Sequence, residues 1–266
     1  MDWWHALLLG LVQGLTEFLP VSSSGHLEIG RRLLGAGVAE DLDFEIVLHC
    51  ATVLATIFVF RKRIWELLKG FFKFEYNDQT DYLLKIIVSM IPVFVAGMFF
   101  RERIEALFST IEVVGAALLV TAALLVLSDI IAPKVAERGN VARGGISWWQ
   151  AFVVGIGQAL AVIPGLSRSG TTIATGLLCG VDRKRMAEFS FLMVLVPVLG
   201  EAFLDLVGGG LSSSSTGILP MTVGFAAAFV SGIFACRVMV ALVSRSRLGW
   251  FGLYCAAAGV FVLLFL

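Results

Sequence analysis

Two stretches of this chain, 145 residues apart, are versions of one another, and both break at the same place. Residues 3–26 read WWHALLLGLVQGLTEFLPVSSSGH, and residues 148–171 read WWQAFVVGIGQALAVIPGLSRSGT. Aligned without a gap, they share nine identities in 24 positions. Trp3 pairs with Trp148, Trp4 with Trp149, Ala6 with Ala151, Gly10 with Gly155 and Gln13 with Gln158. Leu15 pairs with Leu160, Ser22 with Ser167, Ser24 with Ser169 and Gly25 with Gly170. In each copy an apolar run reaches a proline, Pro20 or Pro164, and then a turn rich in serine and glycine. A duplicated apolar unit, twice interrupted by a polar turn, is how inverted-repeat membrane proteins build a central site.

Composition agrees. The chain is 58% hydrophobic and 15% charged, with a mean hydropathy of +0.92, outside the range of a soluble domain. Its 266 residues make one membrane domain with no room for a separate soluble one. The formal net charge is zero, so no bulk electrostatic attraction points to nucleic acid. Cys50, Cys179, Cys236 and Cys255 fall in apolar segments without metal-binding spacing and do not suggest a disulfide framework. The N-terminus carries Asp2 and lacks a basic leader region, so it does not read as a cleavable signal.

Six stretches come near the roughly 20 mostly apolar residues a spanning helix needs: 44–60, 83–100, 113–131, 188–207, 219–243 and 250–266. The duplicated segments 3–19 and 148–163 differ, because each runs into proline and is followed by a short helical stretch, 26–35 or 171–180. Helix, loop and short helix read as a re-entrant hairpin; the rival reading makes 3–19 a plain spanning helix. Irregular backbone at membrane depth is tolerated where protein buries it or it lines a cavity. The expected fold is therefore an all-α polytopic membrane protein with six transmembrane helices and two re-entrant helical hairpins. Its repeats cover about 1–131 and 146–266. Three spans per repeat is an odd number, so the second copy is inverted relative to the first. Thirteen Lys and Arg residues then fall on one face, in 61–82, 132–147, 181–187 and 244–249. Four (Arg31, Arg32, Arg101 and Arg103) fall on the other. The positive-inside rule makes the basic face cytoplasmic and puts both termini outside. The hairpins enter from opposite faces and their tips should meet near the midplane.

Chemistry concentrates at those tips. The first holds Glu17, Ser22, Ser23, Ser24, Gly25 and His26; the second holds Ser167, Arg168, Ser169, Gly170, Thr171 and Thr172. Ionisable residues in membrane segments are functional candidates by default, because burying them unpaired is costly. The second tip is a hydroxyl- and glycine-rich turn opening a helix, a favourable place for an anion. Arg168 adds a planar bidentate donor suited to phosphate. Ser23 and His26, three residues apart, can bring imidazole to hydroxyl if the short helix begins at the tip, and a nucleophilic serine needs a base. Glu17 can hold a hard cation that neutralises phosphate charge. The plainer readings are helix capping for the serines, an idle interfacial histidine, and a structural ion pair of Arg168 with Glu45 or Glu188.

At these residues the chain closely resembles the undecaprenyl-diphosphate phosphatases, bacterial membrane enzymes also called bacitracin-resistance proteins. The motifs that carry the resemblance are QGLTEFLPVSSSGH (13–26) and PGLSRSGTT (164–172), supported by DFEIVLH (43–49) and EFSFLMVLVP (188–197). The resemblance implies hydrolysis of undecaprenyl diphosphate to the monophosphate, which recycles the lipid carrier of cell-wall synthesis. It also implies a divalent cation, Mg or Ca, and a multi-pass place in the bacterial inner membrane with the site opening outward. Carried over by position, Gln13 and Glu17 fill the acidic element, and Gln13 cannot supply charge. Ser23 matches the proposed nucleophile, His26 its catalytic partner and Arg168 the diphosphate-binding arginine. Gln13, Ser22, Ser24, Gly25, Ser167, Ser169, Gly170, Thr171 and Thr172 complete the expected substrate-binding set, with Glu17 as the metal ligand. The partners implied are undecaprenyl diphosphate and membrane lipid, and the sequence leaves a homodimer open. The rival from another class is a lipid-phosphate transporter or flippase using the same anion site, since inverted repeats with broken helices also build transporters.

Overall fold

At membrane depth a chain this apolar must satisfy its backbone within each segment, which favours helices. The computed structural model describes residues 1–35, 42–107, 110–136, 145–200, 216–245 and 247–266, and among them there are helices and turns but no strand. The first copy opens with α1 (Trp3–Thr16) and α2 (Ser23–Leu34). The long helices α3 (Leu42–Phe71), α4 (Asp78–Leu107) and α5 (Ile111–Ala136) follow. The second copy opens with α6 (Trp148–Leu160) and α7 (Arg168–Leu178), then α8 (Arg183–Met193). A helical segment α9 is described over 195–200, and α10 (Ile218–Arg245) and α11 (Gly249–Phe265) complete the chain.

Among the described residues, four helices are long and apolar enough to cross a membrane: Asp43–Phe71, Asp78–Phe100, Ile111–Pro133 and Ile218–Val243. They correspond to four of the six expected spans. The fifth, 250–266, is present as the shorter apolar helix α11. The sixth, 188–207, differs: α8 ends at Met193 and α9 begins afresh, while 201–207 lies outside the described residues. Proline explains the break. Pro197 has no N–H to donate to the carbonyl four residues back, and that carbonyl belongs to Met193. The duplicated helices end by the same rule. Pro20 cannot serve Thr16, where α1 stops, and Pro164 cannot serve Leu160, where α6 stops. At 14 and 13 residues these helices are about 20 Å long, short of the roughly 30 Å hydrocarbon core.

Packing is reciprocal. Helix α1 of the first copy lies along α10, and α6 of the second lies along α4. The duplicated glycines make both contacts possible. A Cβ on Gly10 would sit 2.4 Å from the carbonyl oxygen of Gly224, and one on Gly155 would sit 2.3 Å from that of Ser89. Small residues of this kind let backbones touch, which is the main attraction available between helices in lipid. The tips also meet. A Cβ on Gly25 would lie 3.2 Å from Cα of Gly165, and one on Gly170 would lie 3.2 Å from Cβ of Pro20. Ser169 Oγ donates across the junction to the carbonyl of Leu19 at 3.1 Å. A buried cluster including Phe18, Val21, Leu118, Ile173 and Phe191 packs around this meeting point.

Candidate active site

Both tips are built on the same cap. Ser22 Oγ accepts from the Gly25 amide at 3.3 Å, and Ser167 Oγ accepts from the Gly170 amide at 3.1 Å. The following amides return to the cap carbonyls, His26 to Ser22 at 3.1 Å and Thr171 to Ser167 at 2.8 Å. The second serine of each pair sits 3.4 Å away, Ser24 from Ser22 and Ser169 from Ser167. The hydroxyls of Ser22 and Ser167 therefore satisfy helix starts, as the capping reading expects. Thr172 is also occupied internally, donating to the carbonyl of Arg168 at 2.8 Å and lying 2.6 Å from Ser190 Oγ. Thr171 is buried, and its hydroxyl has no partner among the described residues.

The groups left over converge on one carboxylate. Ser23 Oγ donates to Glu17 Oε2 at 2.5 Å, and Gln13 Nε2 donates to the same oxygen at 3.0 Å. An Arg168 guanidinium nitrogen stands 3.8 Å from Glu17 Oε1. His49 Nε2, from α3, stands 3.9 Å from Oε2. Local structure explains each position. Gln13 is one helical turn before Glu17. Ser23 is the first residue of α2 and faces back across the proline turn. His49 donates from Nδ1 to the Glu45 carbonyl at 3.0 Å, which leaves Nε2 facing the carboxylate. The Glu17 side chain is only 11% exposed, so a cationic neighbour and two hydrogen-bond donors are what an ionised carboxylate there requires. Arg168 does not take either of the acids considered from sequence: Glu45 pairs with Arg31 and Glu188 with Arg63.

His26 departs from its expected contact. Its ring is turned away from Ser23: Nδ1 lies 2.8 Å from its own cap carbonyl, Ser22 O, and Nε2 lies 2.7 Å from the Tyr254 hydroxyl of α11. A carbonyl only accepts, so Nδ1 carries the proton and a neutral imidazole accepts from Tyr254 at Nε2. The two rings stack, with centroids 5.5 Å apart and planes 13° from parallel. The carboxylate that accepts from the Ser23 hydroxyl is Glu17. Three residues along the first turn of a helix brought His26 onto the cap rather than onto the serine.

Two site residues, His49 and Tyr254, lie beyond the expected set. A histidine inside an apolar span was a signal for the first. Tyr254 is 228 residues from its partner and gave no local sign. Beside Glu17 and Arg168 a small cavity, about 20 Å³ and the size of one water, is walled by Phe18, Thr56, Phe191 and Val198. Gln13 Oε1 is fully buried with no partner among the described residues.

Fold and site together define a helical membrane protein whose two broken helices bring a carboxylate, a hydroxyl and a guanidinium together. The profile of the bacitracin resistance protein BacA family matches residues 6–261, and the chain belongs to that family. It is 49% identical over 264 residues to an undecaprenyl-diphosphatase of Bacteroides fragilis, covering 98% of this chain and 97% of that protein. It is 46% identical to the undecaprenyl-diphosphatase of Christiangramia forsetii, covering 100% of this chain and 98% of that one. With the undecaprenyl-diphosphatase of Salinibacter ruber it shares 40% identity, covering 97% of each.

Proposed function

We propose that this protein is an undecaprenyl-diphosphatase, converting undecaprenyl diphosphate and water to undecaprenyl phosphate and inorganic phosphate. One observation carries the mechanism: the Ser23 hydroxyl donates to Glu17 at 2.5 Å while Arg168 faces the other carboxylate oxygen. Glu17 takes the serine proton as Ser23 Oγ attacks the terminal phosphorus, and the bridging P–O bond breaks to release undecaprenyl phosphate. Water then cleaves the phosphoserine, and Glu17 returns the proton. Arg168 spreads its fork over the charge that builds on the phosphoryl oxygens. His26, held by Tyr254, handles protons at the departing side of the site. The same pair of groups serves equally if Glu17 activates water directly. A transporter reading needs the anion clamp alone and leaves the Ser23–Glu17 hydrogen bond without a task.

The donor set suits a hard divalent cation. Glu17 offers a carboxylate, Gln13 an orphaned buried amide oxygen and Ser23 a hydroxyl, all oxygen ligands of the kind Mg²⁺ and Ca²⁺ take. Among the described residues no three His, Cys, Asp or Glu side chains group as a metal site. Glu17 and Gln13 would thus hold the cation jointly with the diphosphate. When bound, it supplies positive charge against the diphosphate. Because the cavity is about 20 Å³, the diphosphate enters only as the tips part from the α3 and α8 side chains around them.

The finer membrane layout follows the same reading. The repeats run over about 1–131 and 146–266, with α1–α2 and α6–α7 as re-entrant hairpins from opposite faces of the inner membrane. Both termini lie outside and the site opens outward. The test of function is phosphate release from a C55 prenyl diphosphate by purified protein, with and without chelator. Release that stops with chelator and returns with Mg²⁺ or Ca²⁺ is expected; no release under any cation overturns the reading.

A further inference from the structure

A second cavity, of about 390 Å³, lies where the end of α3 meets the starts of α4 and α8. Its lining is Arg63, Asp78, Gln79, Tyr82, Arg185 and Glu188, and it shares no residue with the Glu17 cluster. Its volume is within the range of small-ligand sites. Part of its charge is already matched. Arg63 Nε donates to Glu188 at 2.6 Å and its guanidinium stands 3.5 Å from Glu66. Arg185 and Asp78, both exposed at the cavity, enter no ion pair among the described residues and are matched by solvent alone. Between them lies Tyr82, 5% exposed, whose buried hydroxyl has no partner among the described residues. An unpaired buried hydroxyl is costly, so a small side-chain shift that let it meet an acceptor in the cavity would be favoured.

Position narrows the occupant. One candidate membrane-crossing stretch ends at Phe71 and the next begins at Asp78, so the cavity lies toward the ends of both, where a span of this kind leaves the hydrocarbon for the headgroups. Trp65, Phe72, Phe74 and Tyr76, on the last turns of α3 and the link to α4, are exposed, as aromatic side chains are at a membrane–water boundary. One unmatched cation, one unmatched anion and a hydroxyl donor describe a zwitterion containing phosphate. We propose that this cavity binds an ethanolamine-type phospholipid headgroup, with its phosphodiester on Arg185 and Tyr82 and its primary ammonium on Asp78. A glycerol headgroup brings no cation for Asp78, and free phosphate brings charge that Asp78 repels. The proposal stands independently of the hydrolase reading.

The test uses full-length protein stripped of lipid in detergent. Phosphatidylethanolamine, phosphatidylglycerol or inorganic phosphate is added back, and bound lipid is counted by native mass spectrometry beside the apparent melting temperature. The ethanolamine lipid should remain as an adduct and raise the melting temperature, binding at least about tenfold more tightly than the glycerol lipid, with no effect of phosphate. Arg185→Ala should weaken both lipids, whereas Asp78→Asn should erase the preference between them. Tyr82→Phe supplies the control for folding: lipid-free, it should melt no lower than wild type, because it removes an unpaired hydroxyl, yet its ethanolamine-lipid shift should shrink. Equal shifts from the two lipids, a shift from phosphate alone, or unchanged binding in both Arg185→Ala and Asp78→Asn would overturn the assignment.

Discussion

The two tips share a backbone and divide the chemistry. Each begins a short helix with a serine cap, a second serine 3.4 Å away and a glycine whose missing side chain lets the other tip approach. At the aligned positions they then part company. Glu17 faces Val162 in the alignment, Ser23 faces Arg168, and His26 faces Thr171. The first tip therefore carries the carboxylate, the hydroxyl and the imidazole, and the second supplies one guanidinium set among buried neutral groups. Ser169, Thr171 and Thr172 are all under a tenth exposed, whereas Arg168 keeps 29% of its side chain accessible. The lesson is that duplication supplies the frame, and substitution at a few positions within it puts the carboxylate, hydroxyl and imidazole in one copy and the guanidinium in the other; on the proposed function these are the reacting and the clamping tip.

If that division is right, the largest loss comes from the reacting tip. Glu17→Gln removes the acceptor of the Ser23 proton and leaves Arg168 without its counter-charge, so phosphate release should fall about 10⁴-fold, the upper end of acid–base assistance. Ser23→Ala should be comparably severe if the serine is the nucleophile; a fall of only a few-fold would assign attack to water. Next comes the clamp. Arg168→Lys should lose about 10²–10³-fold, nearly as much as Arg168→Ala, because a lysine is a point donor and cannot fork across two oxygens. If lysine restores most of the activity, the second tip merely neutralises Glu17 and the comparison fails.

Much of this frame was readable in the sequence because it rests on local rules. A gap-free alignment marked both tips, and proline stops α1 and α6 at the carbonyls it cannot serve, Thr16 and Leu160. The pairing of Arg168 with Glu17 was readable only as convergence, through the inverted topology, since 151 positions separate them. The structure departs from the expected Ser23–His26 contact for a physical reason. In the first turn of a helix a side chain three residues on can reach either its neighbour or the cap carbonyl, and His26 took the carbonyl. Ser23 was thereby left to reach across the turn to Glu17. The Tyr254 contact, brought in by α11, is a product of tertiary packing with no local trace. Pro197 lies inside the expected span 188–207 and interrupts it as Pro20 and Pro164 end α1 and α6.

A smaller effect should expose the imidazole's support. His26→Ala is expected to lower turnover about 10²-fold while lipid diphosphate binding persists. Tyr254→Phe deletes one hydrogen bond to His26 and keeps the ring stack, so a loss of roughly 2–10-fold is expected. The pair should behave as a unit. In a double-mutant cycle, Tyr254→Phe should cost nothing further once His26 is alanine. Independent, additive losses would mean that Tyr254 acts elsewhere and that the ring contact is incidental.

The smallest predicted effect tests where the tips differ in backbone rather than side chain. Ser22 caps α2 with φ +72°, a left-handed value costly for any residue with a Cβ, whereas its counterpart Ser167 sits at φ −65° and the second tip reverses at Gly165, φ +87°. Replacing either cap serine by glycine forfeits a side-chain acceptor, a loss of a few tenths of a kcal/mol when glycine takes the cap. Only at position 22 does the change also relieve strain, worth about 1 kcal/mol or more. Ser22→Gly should therefore be the more stable of the two variants, by an apparent melting temperature difference of roughly 2–4 °C. It should nonetheless be the less active one, because the strained serine fixes the direction in which Ser23 leaves the turn toward Glu17. Measuring both variants side by side separates the possibilities. If Ser22→Gly is no more stable than Ser167→Gly, the first tip stores no strain. If it is more stable and equally active, the strain has no part in aiming Ser23 at Glu17.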